Sequence, residues 1–141
     1  MKRFTSKTQK IGELGEKICK TWLLRNGFTI LESNYTKKEG EIDIIAKYKN
    51  TLHFIEVKSS LLKNVSYETT RSLNKRNIKQ ERYNPAENVT REKIKKCYKV
   101  INIYKEENNV SYETKTQFDV YIVYIDSRNL KHKIERIENI F

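Results

Sequence analysis

Two neighbouring segments, residues 41–48 and 51–58, constrain this chain more than any other feature. Each has the length of a strand, each carries apolar side chains at both odd and even positions, and only Lys49-Asn50 separates them. Alternate residues of a strand share a face. Ile42, Ile44, Ile55 and Val57 are therefore expected on one side of a hairpin, and Ile45, Leu52 and Phe54 on the other. A sheet apolar on both faces is covered on both, so the charged residues of the second face, Glu41, Asp43, Glu56 and Lys58, belong at the rim of a cleft. A two-residue turn at Lys49-Asn50 sets Asp43 opposite Glu56 and Glu41 opposite Lys58, with Cβ atoms about 4.5–5.5 Å apart. Two carboxylates at that distance call for a cation or a shared proton, and hard oxygen donors favour Mg²⁺ or Mn²⁺. The plainer reading of the same residues is an exposed hairpin face carrying a Glu41–Lys58 cross-strand pair.

The flanking sequence supplies the cover. Residues 8–26 read as a helix, with Ile11, Leu14, Ile18 and Trp22 at helical spacing, Gly15 and Cys19 on the flank, and Asn26-Gly27 as the stop. A short strand is expected at 28–31, ending near Asn34. Residues 61–83 show no sustained period and read as a long basic loop, a length that in compact domains is often functional. Asn84-Pro85-Ala86-Glu87 has the form of a capping box with proline at the first helical position. The helix it opens runs to about Asn108, with Ile94, Cys97, Tyr98, Ile101 and Tyr104 toward the core and Arg91, Lys95 and Lys99 stacked outside. Residues 118–125 read as a buried strand and 131–137 as an edge strand. The order is α-β-β-β-loop-α-β-β in a single domain over residues 1–141: an α/β fold with a mixed sheet of about five strands flanked by helices.

Charge narrows the partners. The chain carries a net charge of +11, and residues 60–105 hold twelve basic residues against four acidic ones. That concentration suits a polyanion, whose phosphates release counterions when neutralised; a solvated basic face is the alternative. No apolar run approaches the roughly 20 residues of a membrane span, and no segment pairs a basic face with an aromatic one, so no membrane partner is expected. The start, Met1-Lys2-Arg3-Phe4 followed by polar residues, lacks the apolar stretch of a signal peptide, and a cytoplasmic protein is expected. Cys19 and Cys97 lie far apart with no CxxC, and His53 and His132 are the only histidines. Neither a disulfide framework, a zinc module nor a multi-histidine site is indicated.

Gly12-Glu13-Leu14-Gly15-Glu16, Asn34-Tyr35, Gly40-Glu41-Ile42-Asp43-Ile44-Ile45-Ala46, Phe54-Ile55-Glu56-Val57-Lys58, Phe118-Asp119-Val120 and Ile137-Glu138-Asn139-Ile140-Phe141 together resemble the YraN-like, endonuclease-like family. That family falls in the PD-(D/E)XK nuclease superfamily and is related to the archaeal Holliday junction resolvases. The resemblance spans nearly the whole chain and implies a restriction-endonuclease-like core. It implies Asp43 and Glu56 as metal-binding acids, Lys58 as the catalytic lysine and Glu16 as the helix carboxylate of the site. At about 100° per residue, Glu16 lies about 120° from Trp22 and beside Leu23, whereas Glu13 lies about 180° away and faces solvent. Ile42 stands where the superfamily has proline, Ser60 where a basic residue commonly follows the Glu-Val-Lys, and Gln117 where arginine often precedes the Phe-Asp. The last two changes bear on phosphate contacts. Cys19 stands where alanine is usual.

These readings converge on a Mg²⁺- or Mn²⁺-dependent endonuclease acting on DNA, with a preference for branched or structured substrates. Asp43 and Glu56 would hold the metal with the Val57 carbonyl and Glu16. Arg91, Lys95 and Lys99, with Lys75, Arg76 and Lys79 of the loop, would hold the phosphate backbone, and Tyr67 and Tyr83 would either stack on bases or fill turns. By family analogy a homodimer is implied, since a symmetric junction needs two sites. The rivals are a non-catalytic nucleic-acid-binding module on the same fold and a basic surface that docks an acidic protein.

Overall fold

The computed structural model describes residues 7–62, 91–126, 128 and 131–140. Its elements run α1 (Lys7–Arg25), β1 (Thr29–Lys37), β2 (Gly40–Tyr48), β3 (Thr51–Leu62), α2 (Arg91–Glu107), β4 (Lys115–Asp126) and β5 (Lys131–Ile137). The strands form one sheet in the order β1-β2-β3-β4-β5. All neighbours are antiparallel except β3 and β4, and that parallel pair requires a crossover, in which α2 lies. This is the mixed five-stranded α/β fold that the sequence implies. The loop residues 63–83 and the capping box at 84–87 lie outside the described residues.

β4 shows why both faces are covered. Phe118, Val120, Ile122 and Tyr124 pack with Cys97, Val100, Ile101 and Tyr104 of α2. Tyr121, Val123 and Ile125 pack with Cys19 and Leu23 of α1. Period-two alternation of large apolar residues thus feeds two separate cores, one under each helix. β5 forms one edge of the sheet, largely exposed.

Several expectations are corrected by packing. α1 buries Gly15, Cys19 and Leu23, while Leu14 is exposed; the small residues face the sheet because they let the helix approach it. α2 buries Val100, and Tyr98 stands outside at 57 % exposure, since the i, i+3, i+4, i+7 stripe of Cys97, Val100, Ile101 and Tyr104 leaves no room for it. β1 does not end near Asn34. It continues to Lys37 through a bulge between Ile30 and Glu32 and a left-handed Asn34, φ 52°. Tyr35 rewards the extension: its ring meets Tyr104 edge-on at 5.4 Å, and its hydroxyl donates to Glu107. β3 likewise runs past Lys58 to Leu62, pairing Leu61 with Ile125, so the unpatterned stretch begins later than residue 61. Among the described residues, no helix is long and apolar enough to cross a membrane.

α1 approaches the sheet closely at Gly15. A Cβ there would lie 1.8 Å from Ser59 Oγ and 3.0 Å from Ser59 Cβ. Gly15 and Ser59 adjoin Glu16 and Lys58, so this contact sets how the helix carboxylate meets the strand lysine. Gly15→Ala is expected to destabilise the fold by about 1–3 kcal/mol through overpacking, measured by urea denaturation. Adding Ser59→Ala should recover part of the loss, since it removes the hydroxyl and leaves only the 3.0 Å Cβ contact.

Candidate active site

β2 and β3 part company midway. Their register runs from Tyr48↔Thr51 to Ile44↔Ile55, the pairing that a two-residue turn dictates, and Lys49 takes the positive φ (53°) that such a turn calls for. The pairing stops at Ile44↔Ile55, yet β2 stays bonded to β1 as far as Lys37↔Gly40 and β3 to β4 as far as Leu62↔Asp126. The sheet therefore opens between them. At the mouth, the Val57 N–H donates to Asp43 Oδ2 at 2.8 Å, replacing the next rung of the ladder with a side chain. One consequence is that Ile42 packs under α2 beside Ile45 while Ile44 packs under α1, so the expected grouping of Ile42 with Ile44 does not hold.

A cleft of about 670 Å³ fills the opening, and Glu16, Asp43, Glu56, Val57 and Lys58 line it. All the residues expected at the metal and the reacting phosphate are thus brought to one place. The predicted cross-strand pairs are not: Asp43 and Glu56 lie beyond the end of the register, and Lys58 turns from Glu41 to Glu56, with Nζ 3.3 Å from Oε1. Glu16 is half-buried and Glu13 exposed, as the helix geometry requires; Glu16 is about 60° around from the buried Cys19. The outer stripe Arg91, Lys95 and Lys99 is exposed on α2. Lys75, Arg76, Lys79, Tyr67 and Tyr83 lie outside the described residues.

Burial dominates the electrostatics. It pushes the Asp43 carboxyl up to about 6, aided by the charges of Glu16, Glu56 and Glu41 and opposed by the Val57 N–H. Burial raises Glu16 as well, against the pull of Lys20 and a hydrogen bond from Asn34. For Lys58 burial is the largest single influence and acts downward, but the Glu56 and Asp43 carboxylates and the hydrogen bonding with Lys93 and Glu56 together outweigh it, so the net shift is upward and the side chain is an ammonium. Behind the acids, burial together with the nearby carboxylates pushes Cys19 up to about 12 and Cys97 to about 11. Both remain thiols, consistent with packing roles.

Two features escape the sequence reading. Lys93 Nζ of α2 contacts Glu56 Oε1; its spacing of four from the core residue Cys97 is the signal that turns it inward. The second is a buried tie remote from the acids. His53 Nδ1 lies 2.7 Å from Asp119 Oδ2, and Asp119 Oδ1 accepts from Gln117 Nε2 and from the Asn139 N–H. In the parallel β3–β4 register His53 pairs with Gln117, two residues before this aspartate, a proximity that only sheet topology creates.

The donor chemistry suits a hard cation. Glu56 Oε2 is buried and has no hydrogen bond among the described residues, and the Asp43 carboxylate shares the cleft. No three His, Cys, Asp or Glu side chains among the described residues gather tightly enough to enclose an ion. Mg²⁺ keeps several water or phosphate oxygens and needs only one or two protein carboxylates, so the pair fits that habit.

Among the described residues, the mixed sheet, the helices on its two faces and an acidic cleft flanked by lysines define an α/β protein with a concave, charge-dense centre. The chain belongs to the family described as uncharacterised protein family UPF0102, the YraN family, whose model matches residues 15–123. It is 33% identical to a UPF0102 protein of Caldanaerobacter subterraneus subsp. tengcongensis over the whole of both chains. A UPF0102 protein of Clostridioides difficile is 38% identical over 86% of this chain and 90% of its own. One from a Nitratiruptor species is 33% identical over 95% of each.

The raised Asp43 has a consequence for stability. Its carboxyl ionises near 3.8 when unfolded and about 6 when folded. Folding therefore favours its protonated form, and that contribution is complete below about pH 4 and lost as pH rises through 6. Asp43→Asn keeps an acceptor for the Val57 N–H and removes the charge. In EDTA at pH 7.5 the variant is expected to exceed wild type by about 1–3 kcal/mol in urea denaturation, with the gap closing toward pH 4. Equal stabilities at pH 7.5 would remove the charge strain inferred at Asp43.

Proposed function

We propose that this protein is a metal-dependent endonuclease that hydrolyses phosphodiester bonds in DNA, acting in the cytoplasm on branched or otherwise structured substrates. The observation that carries the reading is the buried Glu56 Oε2, without a hydrogen bond among the described residues, beside Asp43 and Lys58 at the opened end of the sheet. Mg²⁺ or Mn²⁺ held by Asp43 and Glu56, with the Val57 carbonyl and with Glu16 directly or through water, would supply Lewis-acid polarisation of the phosphate and a more acidic attacking water.

The chain's own groups divide the remaining work. Asp43 is locked by the Val57 N–H, so its second oxygen points from a fixed frame. Lys58, an ammonium beside Glu56, is suited to neutralising charge that grows on the phosphate and to orienting the attacking water; as an ammonium it is not a base. Glu16 reaches the cleft from α1 and suits a water-mediated role. Arg91, Lys95 and Lys99 would grip the backbone without reading bases. A symmetric four-way junction presents two scissile strands, so this reading carries a homodimer with it.

The second reading is a non-catalytic nucleic-acid-binding module, which the exposed stripe Arg91, Lys95 and Lys99 on α2 would serve equally well without a metal. Cleavage assays on duplex, single-stranded, flap and four-way substrates with Mg²⁺, Mn²⁺ or EDTA separate the two. The endonuclease reading expects metal-dependent products, most from the branched substrates; binding without cleavage under every condition favours the module.

Lys58→Ala should lower cleavage by about two orders of magnitude or more while nucleic-acid affinity changes little. Undiminished cleavage would take Lys58 out of the reaction. Reversing the charges of Arg91, Lys95 and Lys99 together should weaken binding on all sequences and flatten the salt slope by roughly 0.9 per lost phosphate contact. An unchanged slope would make the stripe a solvated helix face.

A further inference from the structure

Asn34-Tyr35 belongs to the motif set of the chain and takes no part in the metal reading. Asn34 sits inside β1, where Ser33 pairs with Ile44 and Tyr35 with Ile42, so its place is across from Asp43. Its backbone is left-handed, φ 52°, and its carbonyl accepts from Thr36 Oγ1 at 3.1 Å. Tyr35 packs into the core under α2, so its strand neighbour Asn34 faces the side that α1 covers. There the Asn34 carboxamide donates a hydrogen bond to the Glu16 carboxylate. A second group, Lys20, one turn along α1, attracts the same carboxylate.

From this placement we infer that Asn34 is a positioning residue, which ties the Glu16 carboxylate to the β1–β2 half of the divided sheet and so fixes where it stands relative to Asp43. The inference rests on the metal reading above. Lys20 shares a helix with Glu16 and fixes nothing between helix and strand. Gly15, next to Glu16, is set against Ser59 of β3; the Asn34 amide adds a tie to the other half, which carries Asp43. The residue type follows from the demands of the position. A left-handed backbone is tolerated best by Gly, Asn and Asp. Gly offers no side chain, and Asp would set a further carboxylate among Glu16, Asp43 and Glu41, which already raise one another. Asn combines that backbone with a neutral donor. Such an outer partner keeps a carboxylate in the orientation that a cation, or the water on it, requires.

Titration of the whole protein with Mn²⁺ alone, without nucleic acid and followed by electron paramagnetic resonance of the free ion, tests this. Asn34→Gly keeps the left-handed backbone and removes the amide, and it is expected to weaken Mn²⁺ binding on the order of tenfold. Glu16→Gln should weaken binding as well. Adding Asn34→Gly to Glu16→Gln should cost almost nothing further, because the amide acts through that carboxylate. Asn109→Gly, the same exchange at the left-handed residue just after α2, φ 51°, should bind as wild type does. Unchanged or tighter binding in Asn34→Gly, unchanged binding in Glu16→Gln, an equal loss in Asn109→Gly, or the full loss repeated on top of Glu16→Gln overturns the inference and leaves the metal site standing. Absence of saturable Mn²⁺ binding in wild type and every variant overturns the metal reading and this inference together.

Discussion

The hydrogen bond from the Val57 N–H to Asp43 Oδ2, 2.8 Å long, stands where the sheet divides, and the candidate site depends on that division. Had the ladder continued past Ile44↔Ile55, backbone rungs would have filled the space and the acids would have faced one another across a closed sheet. Instead a carboxylate takes the place of a carbonyl, β2 turns away with β1, and β3 continues with β4. The backbone donor is satisfied, as buried N–H groups require, and the opening becomes a cleft.

The two helices hold the divided sheet in place from opposite sides. α1 packs on β3 and β4, and α2 packs on β2. α2 is also tied to the β1–β2 hairpin at its far end, where Glu107 accepts from Tyr35 and pairs with Lys37 at 2.9 Å. On the other half, Asp119 collects His53, Gln117 and the Asn139 N–H, and the Ile140 N–H donates to the Phe118 carbonyl at 2.7 Å. A buried polar group with its acceptors filled is rigid because leaving any one unmade is costly. That network anchors the segment after β5 beneath the start of β4, away from the acids.

Charge is distributed against the overall balance. A chain of net charge +11 reserves a negative cleft in its interior edge and shields it with the ammonium groups of Lys58 and Lys93. Burial works against ionisation of Asp43 and Glu16, so the cleft holds stress that a cation or a proton relieves. The exposed stripe on α2 faces outward from the same helix that sends Lys93 inward.

The sequence by itself determined the order of elements, the two-residue turn at Lys49-Asn50, the alternation that buries β4 on both faces, and the membership of Glu16, Asp43, Glu56 and Lys58 in a single motif set. The first three follow from short-range rules: strand period, helix period and turn length, each read within a few residues; the grouping of those four side chains is what the resemblance to the YraN-like family implies. Tertiary structure alone decided the rest. The hairpin register was legible but its termination was not, because nothing local to Asp43 tells whether a strand will part from its neighbour. Gly15 was legible as a small residue and not as a point of close approach to β3, since Ser59 lies far off in the chain. Tyr98 and Val100 exchange places because a helix stripe is chosen by the sheet it meets, not by hydrophobicity alone. Lys93 reaches Glu56, and His53 reaches Asp119, through contacts between distant segments, and such contacts arise only when the sheet brings the segments side by side.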